Sequence, residues 1–160
     1  MREPDALRGA AAGADVLDVP VLRLDPELDL PSYARAGDAG ADLVARQPAT
    51  LDPRGGRALI PTGVALALPD GCAGFVLPRS GLALRHGVTC LNTPGLIDPG
   101  YRDELKVLLV NTDPSERYRV ARGDRIAQLV VQAVRQLRFV PVDRLPPSER
   151  GRGGFGHTGR

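Results

Sequence analysis

Proline and glycine punctuate this chain so densely that long helices have little room to form. Of 160 residues, fifteen are proline and nineteen are glycine. Proline removes a helical N–H donor and clashes with the preceding turn, and glycine loses the most backbone entropy on ordering. The punctuation comes in clusters: Asp52-Pro53, Gly55-Gly56, Pro61, Pro69-Asp70-Gly71, Pro94-Gly95, Asp98-Pro99-Gly100, Asp113-Pro114 and Gly123-Asp124. Short β-type runs lie between them: Val19–Leu24, the alternating Val64, Leu66 and Leu68, Leu105–Val110, Ile126–Val134 and Phe139–Val142. Many short strands separated by turn signals predict an all-β sandwich or barrel. Ile126–Val134 is helical by composition alone, but its β-branched residues favour a strand. The best helical segment is a turn near Ser80–Leu84.

The length fits one domain. Residues 1–18 read as a flexible extension, 19–143 as the β domain, and 144–160 as a linker and C-terminal arm. With no tryptophan and few aromatics, the core must be built from Val, Leu, Ile and Ala. A net charge of +2 provides no broad basic surface, which argues against nucleic-acid binding. No apolar run approaches the roughly 20 residues that span a bilayer, and no membrane association is expected. Cys72 and Cys90 lack a metal-ligand pattern and read as reduced thiols of a cytoplasmic protein.

Four internal segments carry chemical groups at turns. Pro78-Arg79-Ser80-Gly81-Leu82-Ala83 follows an apolar run. It reads either as a phosphate cradle, with a guanidinium fork, a hydroxyl and a close-approach glycine, or as a turn that opens a short helix. Gly87–Tyr101 has two β-type runs around Asn92-Thr-Pro-Gly95 and reads as a hairpin. Asp98, before Pro-Gly, is either a turn residue or a general base at a strand end. In Arg122-Gly-Asp-Arg-Ile-Ala-Gln128, Gln128 is either a buried polar group in need of a partner or a solvent-face residue. Asp42 leads a short strand after Asp38-Ala-Gly-Ala41.

The last eleven residues, Arg150-Gly-Arg-Gly-Gly-Phe-Gly-His-Thr-Gly-Arg160, combine glycines with three arginines, Phe155, His157 and Thr158. Such a segment is either a disordered tail or an arm that orders over an anionic ligand. In the second case glycine N–H groups and arginines would meet phosphate, and Phe155 would stack on a base.

Taken in order, these segments resemble the five motifs of the homotrimeric dUTPase family. They are Ala39–Ala45, Pro78–Ala83, Gly87–Tyr101 continuing to Lys106, Arg122–Gln128 and Arg150–Gly159. The resemblance spans residues 19–160 and implies a distorted jelly roll or β-clip sandwich with a flexible arm. It also implies a homotrimer with three shared active sites, and hydrolysis of dUTP to dUMP and pyrophosphate. On this pattern Asp98 would activate the water that attacks the α-phosphorus. Asn92 and its neighbouring backbone would read uracil, and Tyr101 would pack on the deoxyribose and exclude a 2′-hydroxyl. Arg79, Ser80, Gly81 and Gln128 would hold phosphates. Asp42 would hold Mg²⁺ through water. Arg150 and Thr158 would clamp the γ-phosphate while Phe155 stacks on the base. The implied substrate-binding set also takes in Gly95, Ile97, Lys106, Gly156 and His157.

Three positions depart from the family pattern. Ala41 replaces a large aromatic, Asp103 a glycine and His157 a serine. Asp103 either faces solvent or pairs with an arginine. His157 is expected to contact phosphate and to steepen the pH dependence of KM between about 6 and 8. Two other functions compete with dUTP hydrolysis. One is a dCTP deaminase or bifunctional deaminase–dUTPase with Glu104 as base. The other is a catalytically silent, nucleotide-sensing trimer.

Overall fold

The computed structural model describes residues 16–148. They form eleven strands and one short helix. The strands are β1 (Val21–Arg23), β2 (Ala41–Val44), β3 (Ala49–Leu51), β4 (Gly56–Pro61), β5 (Val64–Leu66), β6 (Cys72–Pro78), β7 (Val88–Cys90), β8 (Gly95–Ile97), β9 (Lys106–Asn111), β10 (Tyr118–Val120) and β11 (Arg125–Ala133), with α1 (Ser80–His86) between β6 and β7. A four-stranded sheet runs β2-β11-β6-β8 and a three-stranded sheet runs β4-β9-β7. Two pairs, β1-β5 and β10-β3, complete the body. Every pairing is antiparallel.

The sheets meet over an aliphatic core that includes Leu43, Leu51, Ile60, Val64, Leu66, Val76, Val88, Leu105, Val107, Leu109, Val120, Ile126 and Leu129. Burying each such side chain is worth about 1.5–3 kcal/mol, which is how a core without tryptophan suffices. The expected aliphatic composition is therefore what the core contains. Asn111 is fully buried among these residues. Its side-chain amide donates to the Leu51 and Glu116 carbonyls, and its Oδ1 accepts from the Asp113 N–H.

Of Ile126–Val134, all but Val134 is strand, as its β-branched residues favour. β11 pairs with β2 on one side and along all of β6 on the other. The turn near Ser80–Leu84 is the first part of a helix reaching His86. Gly87 ends that helix in the left-handed conformation (φ 62°), and its N–H returns to the Ala83 carbonyl. Arg85 and His86 fill the last turn, where positive charge suits the helix dipole.

Two expectations fail. Gly87–Tyr101 is not a hairpin. β7 pairs with β9 and β8 pairs with β6, so the Asn92-Thr-Pro-Gly95 turn carries the chain from one sheet to the other. The backbone groups of the two runs are already satisfied by different neighbours and have no need of each other. Phe139–Val142 is not a strand either. Residues 134–148 extend past the end of β11; Phe139–Val142 pairs with no strand among the described residues, leaving Phe139 87% exposed. A strand needs a second backbone to accept its donors, and among the described residues none pairs with this segment.

Candidate active site

The register of the four-stranded sheet brings three segments, far apart in sequence, to one point. Gln128 of β11 lies opposite Asp42 of β2 and opposite Leu77 of β6, two residues before Arg79. Asp42 is only 7% exposed and accepts from three side chains: Arg79 Nε at 3.1 Å, a terminal nitrogen of Arg125 at 3.1 Å and Gln128 Nε2 at 3.3 Å. Its own N–H donates to the Ser32 carbonyl. Gln128 is therefore a half-buried amide with a partner, in line with the first of its two readings.

A β-bulge makes this cluster possible. Side chains alternate faces along a strand, so Arg125 and Gln128, three positions apart, would normally point to opposite sides. The pairing of β11 with β2 slips between Arg125 and Ala127, and the extra residue restores both to the side of Asp42. The cost appears as two consecutive inward residues, Ile126 and Ala127, at 1% and 0% exposure. Gly40 makes room at the other end: a Cβ there would sit 3.1 Å from the Gln128 Cβ. Sequence reasoning alone does not single out Arg125 as a site residue. Only its place just after the Gly123-Asp124 turn points to it.

Arg79 is the last extended residue before α1, with φ −91° and ψ 123°. The chain then turns into the helix through Ser80 and Gly81, and a Cβ on Gly81 would meet the Arg85 guanidinium at 3.0 Å. The structure bears out the helix-opening reading of this segment.

The second group of predicted residues lies elsewhere. Asn92 sits in the turn between β7 and β8, and a Cβ on Gly95 would approach its amide nitrogen at 3.3 Å. Ile97 pairs with Gly74, so Asp98 follows the strand end beside Ala73. Asp98 is exposed, and its carbonyl accepts from the Tyr101 N–H at 3.1 Å, closing a turn. The Tyr101 hydroxyl donates to the Glu104 carbonyl at 2.9 Å. Lys106 opens β9 and pairs with Asp103 at 3.1 Å. The departing Asp103 therefore pairs with the chain's only lysine and not with an arginine. The Glu104 N–H and Lys106 both hold the Asp103 carboxyl below its ordinary range.

Within one chain the two groups stay apart. Ala73 and Arg79 are six positions apart along β6, about 20 Å of extended chain. The structure thus brings Asp42, Arg79 and Gln128 together, with Ser80 and Gly81 next to Arg79 in the chain, and separately holds Asn92, Gly95, Ile97, Asp98, Tyr101 and Lys106. Arg150, Phe155, Gly156, His157 and Thr158 lie outside the described residues.

Comparison with known proteins gives these two groups a context. A family model for dUTPase matches residues 26–159. The chain belongs to the dUTPase family. A deoxyuridine 5′-triphosphate nucleotidohydrolase of Thermobifida fusca is 54% identical over 99% of this chain and 90% of its own length. One from Streptomyces griseus is 58% identical over 89% of this chain and 81% of its own length. Among solved structures, the Staphylococcus bacteriophage 80alpha dUTPase with dUPNHPP superposes with a TM-score of 0.81 at 27% identity, covering 91% of this chain and all of that one. The two groups above come from the second, third and fourth of the segments that carry the dUTPase resemblance, with Asp42 from the first.

Glu104, the base required by a deaminase reading, is otherwise engaged. Its carboxylate accepts from the Gly63 N–H at 2.7 Å and from Arg46 at 3.4 Å. No group of three or more His, Cys, Asp or Glu residues that would hold a metal occurs among the described residues. No helix among them is long and apolar enough to cross a membrane.

Proposed function

We propose that this protein hydrolyses dUTP to dUMP and pyrophosphate, and that it does so as a homotrimer whose sites draw on more than one copy. The dUTPase match over residues 26–159 carries the reading of the reaction. Dividing each site between copies accounts for a phosphate-binding group and a water-activating group that one chain holds about 20 Å apart. The exposed apolar side chains Leu22, Leu59, Leu84, Leu96, Leu137, Phe139 and Val140 fit burial against neighbouring copies.

In this mechanism Asp98 aligns a water and takes its proton as the water attacks the α-phosphorus in line. Arg79, Ser80, Gly81 and Gln128 hold the phosphates. Asp42 fixes Arg79 and Gln128, so that these donors are set before substrate arrives and need not reorganise during the reaction. Asn92, Gly95 and Ile97 supply the surface that reads uracil, Lys106 contributes charge, and Tyr101 packs against the deoxyribose. Arg150, Phe155, Gly156, His157 and Thr158 close over base and γ-phosphate and exclude water.

The donor set fits a Mg²⁺ ion carried chiefly by substrate. Mg²⁺ retains waters and binds phosphate oxygens, so it does not need a protein cage. Both Asp42 oxygens already accept from side chains, so Asp42 would reach the ion through water. The bound ion would neutralise charge on the leaving pyrophosphate. Cytoplasmic action, with Cys72 and Cys90 unpaired, would supply dUMP for dTMP synthesis and keep uracil out of DNA.

Pyrophosphate release from dUTP, dCTP, dTTP and UTP, each with Mg²⁺, tests the proposal. The expected result is rapid release from dUTP alone. Ammonia from dCTP would replace it with the deaminase reading, and no release from any nucleotide would replace it with the silent trimer.

A further inference from the structure

Tyr101 is the residue asked to distinguish deoxyribose from ribose, yet it stands on a loop and is 36% exposed. A steric filter works only if its wall cannot yield. An added hydroxyl is a small intrusion, and a ring free to tilt would admit it. The hydroxyl of Tyr101 is anchored on the Glu104 carbonyl at 2.9 Å. That carbonyl belongs to the Glu104–Leu105 peptide, whose N–H donates to the Val64 carbonyl at 2.8 Å. Its orientation is set further by the Glu104 side chain, which accepts from the Gly63 N–H at 2.7 Å and from Arg46.

Arg46 is itself held in place. Its Nε faces Asp25 at 3.4 Å, and another of its nitrogens donates to the Leu24 carbonyl at 3.3 Å. Arg122, from the turn before β11, grips Asp25 with two nitrogens and also donates to the Arg46 carbonyl at 3.0 Å. The Asp25 and Glu104 side chains are each only 12% exposed, so these charges are partly withdrawn from water and interact more strongly than surface pairs. A chain of charged groups thus runs from Arg122 through Asp25 and Arg46 to Glu104, and ends on the tyrosine hydroxyl.

We propose that Arg46 and Glu104 are positioning residues for Tyr101, and that this ion-pair chain sets the preference for deoxyribose over ribose. The inference rests on dUTP being the substrate. Neither carboxylate nor guanidinium touches the nucleotide; they act by fixing the peptide that holds the ring. A merely structural role would lower activity on dUTP and UTP alike and leave their ratio unchanged. A positioning role changes the ratio, chiefly by raising kcat/KM for UTP.

The test compares kcat/KM for dUTP and UTP in wild-type protein, Arg46→Met, Tyr101→Phe and the double variant, with Glu104→Gln replacing Arg46→Met if that variant fails to fold. Glu104→Gln keeps an acceptor for the Gly63 N–H and removes the charge that faces Arg46. The dUTP-to-UTP ratio is expected to fall about tenfold in each single variant, the size of coupling carried by linked side chains. The double variant should lose little more than either single one, because both changes release the same ring. An unchanged ratio in Arg46→Met, or single effects that multiply in the double variant, overturns the proposal while leaving dUTP hydrolysis intact. A wild-type protein inactive on dUTP overturns the functional reading and this inference with it.

Discussion

Replacing Asp42 by alanine tests whether its carboxylate organises the residues proposed to bind phosphate. The substitution removes a carboxylate, 7% exposed, that accepts from Arg79, Arg125 and Gln128. Breaking a fully buried ion pair by deleting one partner costs about 3–5 kcal/mol, whereas an exposed pair is worth about 0–1 kcal/mol. Here the carboxylate is buried, but the Arg79 and Arg125 side chains are 25% and 53% exposed and can turn to water. The loss therefore falls between the two limits, at about 2 kcal/mol. Asparagine keeps the volume and one acceptor but points an amide N–H₂ at a guanidinium, so it should recover less than half of that. Urea unfolding at fixed chain concentration measures the change, since the proposed self-association would make apparent stability depend on concentration. With Arg79 and Gln128 no longer fixed, kcat/KM for dUTP should drop about 10- to 100-fold, the worth of a charge-assisted contact. A loss of less than about 0.5 kcal/mol in Asp42→Ala, within the range of ordinary surface changes, together with unaltered turnover, would refute the reasoning.

Three further outcomes are expected. Asp98→Asn should lower kcat by several orders of magnitude with KM nearly unchanged, because a general base contributes in the transition state; comparable kcat in that variant would remove Asp98 from the role. Arg122 donates to the Asp25 carboxyl and lowers its pKa from 3.8 to about 2. A lowered folded-state pKa gives stability that is present above pH 3.8 and lost as pH falls toward 2. The stability gap between wild type and Asp25→Asn should therefore be constant at neutral pH and close across that acid window in pH-dependent urea titrations. Burial pushes the Cys90 thiol up to about 11 and leaves it 2% exposed, so a thiolate-specific reagent at pH 8 should modify it only after unfolding, as peptide mapping would show.

What could be read from the sequence was what depends on local chemistry. β9 and β11 announced themselves as runs of Val, Leu and Ile that supply Val107, Leu109, Ile126 and Leu129 to the core, and α1 began where Ser-Gly-Leu-Ala follows a strand. The hairpin misreading came from treating adjacent β runs as partners, when β7 and β8 find better partners in β9 and β6. The cluster around Asp42 was only half legible. Gln128 stood out as a polar residue in an apolar strand. Arg125 did not, because strict alternation puts it on the wrong face and no pattern marks the bulge that corrects it. The link from Arg46 to Glu104 joins residues 58 positions apart, and such long-range ion pairs leave no local signature. The separation of Asp98 from Arg79 was likewise invisible, since it depends on which end of β6 receives β8.

That separation supplies the most direct test. Chains carrying Asp98→Asn and chains carrying Arg79→Ala are each expected to be inactive alone. If a site takes Asp98 from one copy and Arg79 from another, every mixed trimer contains one intact site. Unfolding and refolding the two chains together in equal amounts should then restore about a quarter of wild-type pyrophosphate release from dUTP, as closed threefold symmetry requires. A mixture as inactive as its components, beside an active wild-type protein refolded in the same way, would contradict the account and return the site to a single chain.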